Sequence, residues 1–463
     1  MKSFKVLVPF ICALCFCFIN CASTPVETQT KTSESKNEKK DPPNVVFAKK
    51  LQELLAEDNV KGAISLFSEI PDSLKNDLDL QLLLGALYYS DSDYDNAIAV
   101  ANSVLAIDSG KLDAMELISM CNHAKGDSKA YKAATDEILK NDPYNAAVNI
   151  QRAQDSAKKK KYKQAFNYYK QALKGDPENS DALFGYAQMA YYLHDDKTAT
   201  NTFNKIIEKD SSNSSAYAYL GKIAYSEENY RLALEYTQKA LKIEPKNYDY
   251  LLDEGSCFRY LGKNKDAINS WETAVQIEPD YFLGYAYLAG LYDEMNDFDK
   301  ALENYRLVIK TNPKYYFAYE EAAILEYHAN NYQESINYFN KAYEYSQNYS
   351  YKMMIAANYL KLGDKLSAKN TLQQAMKTMD KNSTEYMLLR FYADSYSRNA
   401  ESALVNKISK EDNSNKRGKM LFYLGLYYEL NGNSKVAEEY YAKVTAMQAP
   451  MFFEYRIAEW GLQ

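Results

Sequence analysis

The feature that most limits what this chain can fold into is a fixed spacing between its prolines. From residue 72 to residue 449 the separations are 34, 68, 34 and 34 residues, between Pro143, Pro177, Pro245, Pro279 and Pro313. Proline lacks an amide hydrogen and disfavours helix at the residue before it, so each of these residues should end a helix. Recurrence at one long period indicates a repeat architecture rather than a single central core.

One period, Ser214 to Pro245, predicts two short amphipathic helices joined by a tight turn. Apolar residues recur at i, i+3, i+4 and i+7 in each half, which places them on one helix face. Small residues keep the same phase along the chain, where two helix backbones would approach closely. They are Gly85, Ser119, Ala153, Ala187, Gly221, Gly255, Ala289, Ala323 and Ala357 in the first helices, and Ala97, Ala165, Ala199, Ala233, Ala267, Ala301 and Ser335 in the second.

This pattern resembles the tetratricopeptide repeat (TPR), a helix–turn–helix unit of the same period. The matching residues of the central unit are Tyr217, Leu220, Gly221, Ala224, Tyr230, Ala233, Ala240 and Pro245. The resemblance implies an all-α TPR solenoid, a right-handed superhelix of about twelve helix pairs. It assigns nine in-register units to residues 44–349, three more divergent TPR-like units to residues 350–451, and a C-terminal capping helix to residues 452–463.

The N-terminus resembles a bacterial lipoprotein signal peptide over residues 1–21. Lys2 and Lys5 precede an apolar run that is long enough for a secretory signal and short for a membrane span. The resemblance implies that Cys21 is acylated, which would anchor an exported protein in the bacterial cell envelope, at the periplasmic face or outer membrane. Asn20 departs from the usual small residue, which leaves ordinary cleavage after Ser23 as an alternative. Residues 22–43 are polar and aperiodic, as in a disordered tether.

The composition favours a protein that binds other proteins. It argues against an enzyme and against a nucleic-acid partner. The net charge is −7 and the isoelectric point is near 5.4, whereas phosphate neutralisation needs a concentrated basic surface. The three histidines lie in different repeats and form no metal-binding pair, and no nucleophile or phosphate-loop motif is present. We therefore expect no catalytic residue, metal site or cofactor. The basic run Lys158–Lys161 is either a solvated turn or a contact for an anionic membrane or envelope polymer.

The resemblance also implies that the first helix of each pair lines a concave groove. Many side chains at its groove positions are aromatic. They either pack between neighbouring first helices or form a platform that contacts the side chains of a partner. Acidic residues dominate the units from Tyr248 to Gln347, which predicts a preference for a Lys/Arg-rich segment. The candidate partner-binding residues are Phe184, Tyr191, Tyr192, Tyr225, Asp249, Asp253, Tyr260, Tyr287, Asp293, Glu294, Phe317, Glu320, Glu321 and Tyr327.

Two functional hypotheses follow from these patterns. The first is a non-enzymatic protein–protein interaction scaffold of the cell envelope, which holds a partner protein or peptide in the groove and contacts the membrane only through its N-terminal lipid. The second is an extracytoplasmic glycan-binding lipoprotein that uses aromatic groove residues. Sugar platforms favour exposed tryptophan, and neither Trp271 nor Trp460 is at a groove position, so the scaffold is the better supported of the two.

Overall fold

The computed structural model describes residues 41–394, 397–448 and 450–463. Every regular element in this part of the chain is helical, and twenty-five α-helices form twelve consecutive pairs followed by one final helix. The predicted all-α solenoid of about twelve helix pairs is therefore confirmed. The predicted signal peptide, its Cys21 and most of the predicted tether lie outside the described residues. No helix that is described is both long and apolar enough to span a bilayer.

The chain divides into two compact units, the first ending at Ser211. Its described part holds five helix pairs, and two short 3₁₀ turns, Phe67–Glu69 and Asp72–Leu74, follow the first pair. The helices are α1 Pro43–Ala56, α2 Val60–Leu66, α3 Leu78–Ser90, α4 Tyr94–Ile107, α5 Leu112–Ala124, α6 Ser128–Asn141, α7 Ala146–Lys158, α8 Tyr162–Gly175, α9 Ser180–Tyr192 and α10 Asp196–Lys209.

The second unit runs from Ser212 to Gln463 and holds seven helix pairs and the final helix. Its helices are α11 Ser214–Ser226, α12 Tyr230–Ile243, α13 Tyr248–Tyr260, α14 Asn264–Ile277, α15 Phe282–Glu294, α16 Phe298–Thr311, α17 Tyr316–His328, α18 Tyr332–Tyr345, α19 Tyr349–Lys361, α20 Lys365–Met376, α21 Thr384–Ala393, α22 Arg398–Ser409, α23 Ser414–Leu430, α24 Ser434–Thr445 and α25 Glu454–Trp460.

The turn inside each pair repeats with the same period as the prolines. In eleven of the twelve pairs one residue of the turn has a left-handed backbone conformation. Asparagine or aspartate commonly caps the helix that follows by accepting from a backbone amide, as Asn229 accepts from Leu232. Few residues other than glycine adopt positive φ, so the tight turn imposes this geometry on most of them. The left-handed residues are Asp58, Ser92, Gly126, Lys160, His194, Glu228, Gly262, Asn296 and Asn330, then Gly363, one residue early, and Gly432.

The small residues lie where the two helices of a pair touch. A β-carbon added to Gly255 would stand 2.2 Å from the indole nitrogen of Trp271, and one added to Gly221 would stand 2.9 Å from the Thr237 hydroxyl oxygen. The alanines predicted to face these contacts in the second helices, such as Ala233, are fully buried. Packing against adjacent helices is what a solenoid requires of each repeat.

The last part of the second unit packs differently from a simple stack. Helix α23 lies against α19, where the Tyr423 hydroxyl donates to the Ser350 carbonyl oxygen at 3.0 Å and also contacts the buried carboxylate of Glu454 at 3.0 Å. The predicted capping helix, α25, packs on α23 and α24. It also reaches helices of much earlier repeats, because Arg456 pairs with Asp293, 163 residues away in sequence.

Candidate interaction surface

The candidate residues of the first unit all belong to α9, with Phe184 in its first half and Tyr191 and Tyr192 at its C-terminal end. Tyr192 is 41% exposed and stacks on Tyr162 at 4.9 Å, while Tyr191 lies 5.5 Å from Tyr192. Phe184 packs against Phe203 of α10 at 5.8 Å and is only partly exposed. Phe184 and Tyr191 therefore contribute to packing, and Tyr192 is the member of the three that presents a large apolar surface to solvent.

In the second unit, the face formed by α11, α13, α15 and α17, here called the first-helix surface, begins with a tyrosine cluster. The ring of Tyr260 stacks on Tyr230 at 4.6 Å and meets Tyr225 edge-on at 5.5 Å. Tyr260 is 55% exposed, which is unusual for a residue with this much aromatic contact. Burial raises the pKa of Tyr225, and the neighbouring Tyr260 raises it further, so its hydroxyl is a neutral donor. Aromatic clusters held this rigidly lose little entropy when a partner binds.

Two acidic candidates precede Tyr260 on α13, in the first half of that helix. Asp249 is exposed, whereas Asp253 is partly buried and lies 3.7 Å from the ammonium group of Lys222. Burial is the main cause that raises the pKa of Asp253 to about 6, and Lys222 opposes that effect. A carboxylate held near apolar rings and only loosely paired should attract a second cation.

The next two helices extend this exposed region. Tyr287 of α15 is 37% exposed and its ring lies 5.3 Å from the buried indole of Trp271. Phe317 of α17 is 48% exposed and stacks on Tyr316 at 4.2 Å. Glu294 is paired with Arg259, so its charge is already compensated. We call the following exposed or partly exposed candidates the open part of the first-helix surface: Tyr225, Asp249, Asp253, Tyr260, Tyr287 and Phe317.

The remaining candidates are covered by the chain itself, and we call them the covered part. Arg456 of α25 donates from Nη1 to Asp293 at 2.5 Å and lies 3.7 Å from Glu321. Glu320 accepts from the Tyr351 hydroxyl at 2.5 Å, and Tyr327 is buried against Tyr332. In the sequence, Asp293, Glu320 and Glu321 follow the same groove pattern as the acidic residues of the open part. In the structure they are covered by other segments of the chain, whereas those of the open part are not covered by any described segment.

The helix that covers these residues has its own aromatic and cationic side chains. The guanidinium of Arg456 lies 4.6 Å from the ring of Trp460, which in turn packs on His328 at 4.0 Å and Phe298 at 5.6 Å. Arg456 and Trp460 are four residues apart and so project from one face of α25. That spacing is visible in the sequence, but nothing in a nearest-neighbour repeat pattern indicates that this face returns to α15 and α17.

The carboxyl group of Glu321 is the most strongly perturbed acid at this contact. Its pKa is raised to about 7, first by burial and then by the charges of Glu320 and Asp293, while Arg456 lowers it. Glu321 is therefore close to half-protonated at neutral pH. The covered part thus balances three carboxylates against one guanidinium.

Other chemically reactive groups give no sign of a catalytic arrangement. Cys121 and Cys257 are buried, and burial raises their pKa to about 11 and about 12, so both stay protonated thiols. In the described part of the chain no three His, Cys, Asp or Glu side chains converge in a way that could hold a metal ion.

Three stretches of the chain match family models of the tetratricopeptide repeat, at residues 157–223, 214–247 and 288–350. No curated protein matches the sequence. Residues 157–247 and 288–350 therefore hold tetratricopeptide repeats, within an all-α solenoid of helix pairs.

Solved TPR structures resemble parts of the chain. A TPR protein from Parabacteroides merdae is 18% identical, with a TM-score of 0.35, over 61% of this chain and 97% of that one. PilF from Pseudomonas aeruginosa is 18% identical, with a TM-score of 0.38, over 48% of this chain and 96% of that one. YrrB, described as a TPR protein with an unusual peptide-binding site, is 20% identical over 40% of this chain and 94% of its own, with a TM-score of 0.34.

Proposed function

We propose that this chain is a non-enzymatic protein–protein interaction scaffold that binds a partner segment on the open part of its first-helix surface. TPR folds serve in general as scaffolds for protein partners, and the open part supplies exposed aromatic anchors beside acidic groups. The segment we propose is Lys- or Arg-rich with interspersed apolar side chains. Such a segment would insert cationic heads between Asp249 and Asp253 and lay its apolar stems on the tyrosine rings.

The observation that carries this proposal is the seating of α25 on the covered part of the same surface. There the chain accepts an arginine between Asp293 and Glu321, with a tryptophan packed on Phe298 and His328. The first-helix surface is therefore built to hold a helix with a cation and an aromatic ring on one face. The open part has the same kinds of residue and no covering segment among the described residues.

Glycan binding is less well supported as the alternative. Sugar-binding faces commonly present an exposed indole, but Trp271 is 1% exposed and Trp460 packs between Phe298 and His328. The exposed rings of the open part are tyrosine and phenylalanine beside carboxylates, which suits a cationic peptide better than a neutral sugar.

Replacing both Tyr260 and Tyr287 with alanine should weaken partner binding by about 10–100-fold, because two central aromatic anchors are lost. The full-length protein would be used as bait in a detergent-solubilised envelope extract, and the affinity of the purified partner would then be measured by calorimetry. The double variant Tyr144→Ala, Tyr345→Ala is the control: these tyrosines are 43% and 47% exposed and do not belong to the open part, since Tyr144 precedes α7 in the first unit and Tyr345 ends the second helix α18. Equal losses in both variants, or none in the first, would contradict the proposal.

We also propose that the scaffold is held at the bacterial envelope by a lipid on Cys21. The support is the sequence of residues 1–21, in which an apolar run ends at that cysteine. The variant Cys21→Ser should move the protein from the membrane fraction to the soluble fraction. Fractionation with N-terminal sequencing of the mature chain is the measurement. Unchanged membrane partitioning together with a mature N-terminus after Ser23 would rule out the lipid anchor.

A further inference from the structure

One interface of the first unit departs from the packing rule that the other repeats follow. At the position of the second helix where Ala97, Ala165 and Ala199 are fully buried, α6 carries Tyr131. An alanine there lets the second helix approach the first helix of its own pair, whereas the ring of Tyr131 lies 5.0 Å from His123 of α5. In the same region, α6 and α7 pack less closely than the corresponding helices α4 and α5 or α8 and α9.

At two further positions this interface carries a polar residue where other repeats have an apolar one. Thr135 stands where later second helices carry an aromatic ring, such as Tyr169 or Phe203, and therefore leaves space unfilled. Arg152 stands where α11 carries Leu220, and its guanidinium occupies part of that space. Its Nε donates to the Thr135 hydroxyl at 3.1 Å and its Nη2 donates to Asp136 at 2.7 Å, with the side chain only 14% exposed. A buried arginine held in this way is a fixed part of the interface.

The space left between α6, α7 and the start of α8 is a cleft of about 520 Å³. Volumes of several hundred Å³ are typical of small-molecule sites. Five of its thirteen lining residues are lysine, arginine or histidine and only one is acidic, in a chain whose net charge is −7. The lining residues are His123, Gly126, Ser128, Tyr131, Lys132, Thr135, Arg152, Asp155, Ser156, Lys158, Lys159, Gln164 and Tyr168.

The charges in this cleft do not cancel. Among the described residues no carboxylate forms an ion pair with Lys132, Lys158 or Lys159, all of which are exposed at the rim. The one acidic lining residue, Asp155, lies 3.4 Å from the His123 ring nitrogen. Lys158 and Lys159 belong to the basic run seen in the sequence, which thus lies beside a cavity rather than on a plain solvated turn.

A polar group inside the cleft is only weakly satisfied. The hydroxyl of Tyr131 is buried and has no well-aligned hydrogen-bond partner in the described part of the chain, and the Asp155 carboxylate is its one nearby acceptor. A buried hydroxyl that is poorly paired is unfavourable, and a well-placed acceptor on a bound molecule would satisfy it. Burial and the charge of Asp155 raise the pKa of this tyrosine, so the group is a neutral donor.

We propose that this cleft binds a small molecule bearing a phosphate group. Three exposed lysines line its rim and Arg152 lies inside it, and a compact, multiply charged anion satisfies such groups better than a single carboxylate does. The cavity is larger than one phosphate, so an organic portion fits along the ring of Tyr168, over which Arg152 lies at 6.0 Å. The site is independent of the partner surface proposed above, because its residues belong to another unit.

Glycerol phosphate is the probe, with glycerol as the matched neutral compound and calorimetry on the full-length protein as the measurement. The triple variant Lys132→Gln, Lys158→Gln, Lys159→Gln should weaken binding by about tenfold or more, as expected for three exposed charge pairs. The control Lys170→Gln, Lys197→Gln, Lys205→Gln removes the same charge from exposed lysines outside the cleft and should stay within about twofold of wild type. Thr135→Phe should abolish binding by filling the cavity while all three lysines remain.

Vesicles of phosphatidylglycerol and of phosphatidylcholine separate a free ligand from a lipid headgroup. The proposal is supported if glycerol phosphate binds and both cleft variants lose it. It is overturned if wild type shows no binding at millimolar probe, if glycerol binds equally well, or if the two triple variants behave alike. Binding confined to phosphatidylglycerol vesicles would also overturn it, because the ligand would then be a membrane surface.

Discussion

Trp271→Ala should lower the stability of the repeats around it by about 3–5 kcal/mol, the range for removing a large buried aromatic side chain. The indole is 1% exposed, lies directly against Gly255 and donates from Nε1 to the Leu252 carbonyl oxygen at 3.1 Å. Because each repeat contacts mainly its neighbours, the loss should be concentrated in α13 and α14. Hydrogen exchange followed by mass spectrometry should show faster exchange there before it rises in the distant helices α23 and α24.

Trp271→Phe is the matched control, because other second helices carry phenylalanine at this position, namely Phe203 and Phe339. It should cost clearly less than the alanine variant, since a ring still fills the space above Gly255. Exchange that rises uniformly along the whole chain would show that the solenoid unfolds as one cooperative body. Equal losses in the two variants would show that the Trp271 hydrogen bond, rather than ring packing, holds this contact.

The repeat itself could be predicted from the sequence because its causes are local. A proline follows the second helix in five of the units, small residues permit close contacts between helices, and tight turns need a left-handed residue. These requirements recur at one period, so they remain visible even where the residue changes, as at Lys160 and His194, which adopt positive φ without being glycine. The unit that is one residue short is equally visible, through Gly363.

The candidate surface could be predicted only in part, because position in a repeat does not report long-range contacts. Tyr260 and Tyr287 are exposed as a binding residue must be. Tyr327 and Asp293 occupy the same kind of position but are covered by helices that lie far along the chain. The cleft at Tyr131 could not be predicted for a different reason. It arises where residues depart from the repeat pattern, and no sequence motif marks such a place.

The second large effect is expected at the contact between α25 and the first-helix surface. Arg456→Ala should destabilise this contact by about 2–4 kcal/mol, because it leaves largely buried carboxylates without their counter-ion. Arg456 and Asp293 are 24% and 12% exposed, and the guanidinium also packs on Trp460. Hydrogen exchange should increase in α15, α17 and α25, and the denaturant midpoint should fall. An unchanged midpoint would mean that the ion pair only offsets its own desolvation.

The pH dependence of this loss distinguishes charge from packing. The pKa of Glu321 is already about 7, above that of an unfolded-state glutamate, and removing Arg456 should raise it further. A carboxyl group with a raised pKa in the folded state gains stability as pH falls through that pKa toward its unfolded value. The deficit of Arg456→Ala relative to wild type should therefore be largest at pH 8 and shrink toward pH 5.

The double variant Arg456→Ala, Glu321→Gln tests the same point without changing pH. Glutamine removes the charge that Arg456 compensates, so the double variant should recover part of the stability lost at pH 8. The recovery should be partial, since Glu321 remains about one-third exposed and Asp293 stays charged. A deficit that is equal at pH 5 and pH 8 and is not reduced by Glu321→Gln would assign the role of Arg456 to packing against Trp460. The first-helix surface would then select its helix by shape rather than by charge, and a Lys- or Arg-rich partner would lose its main support.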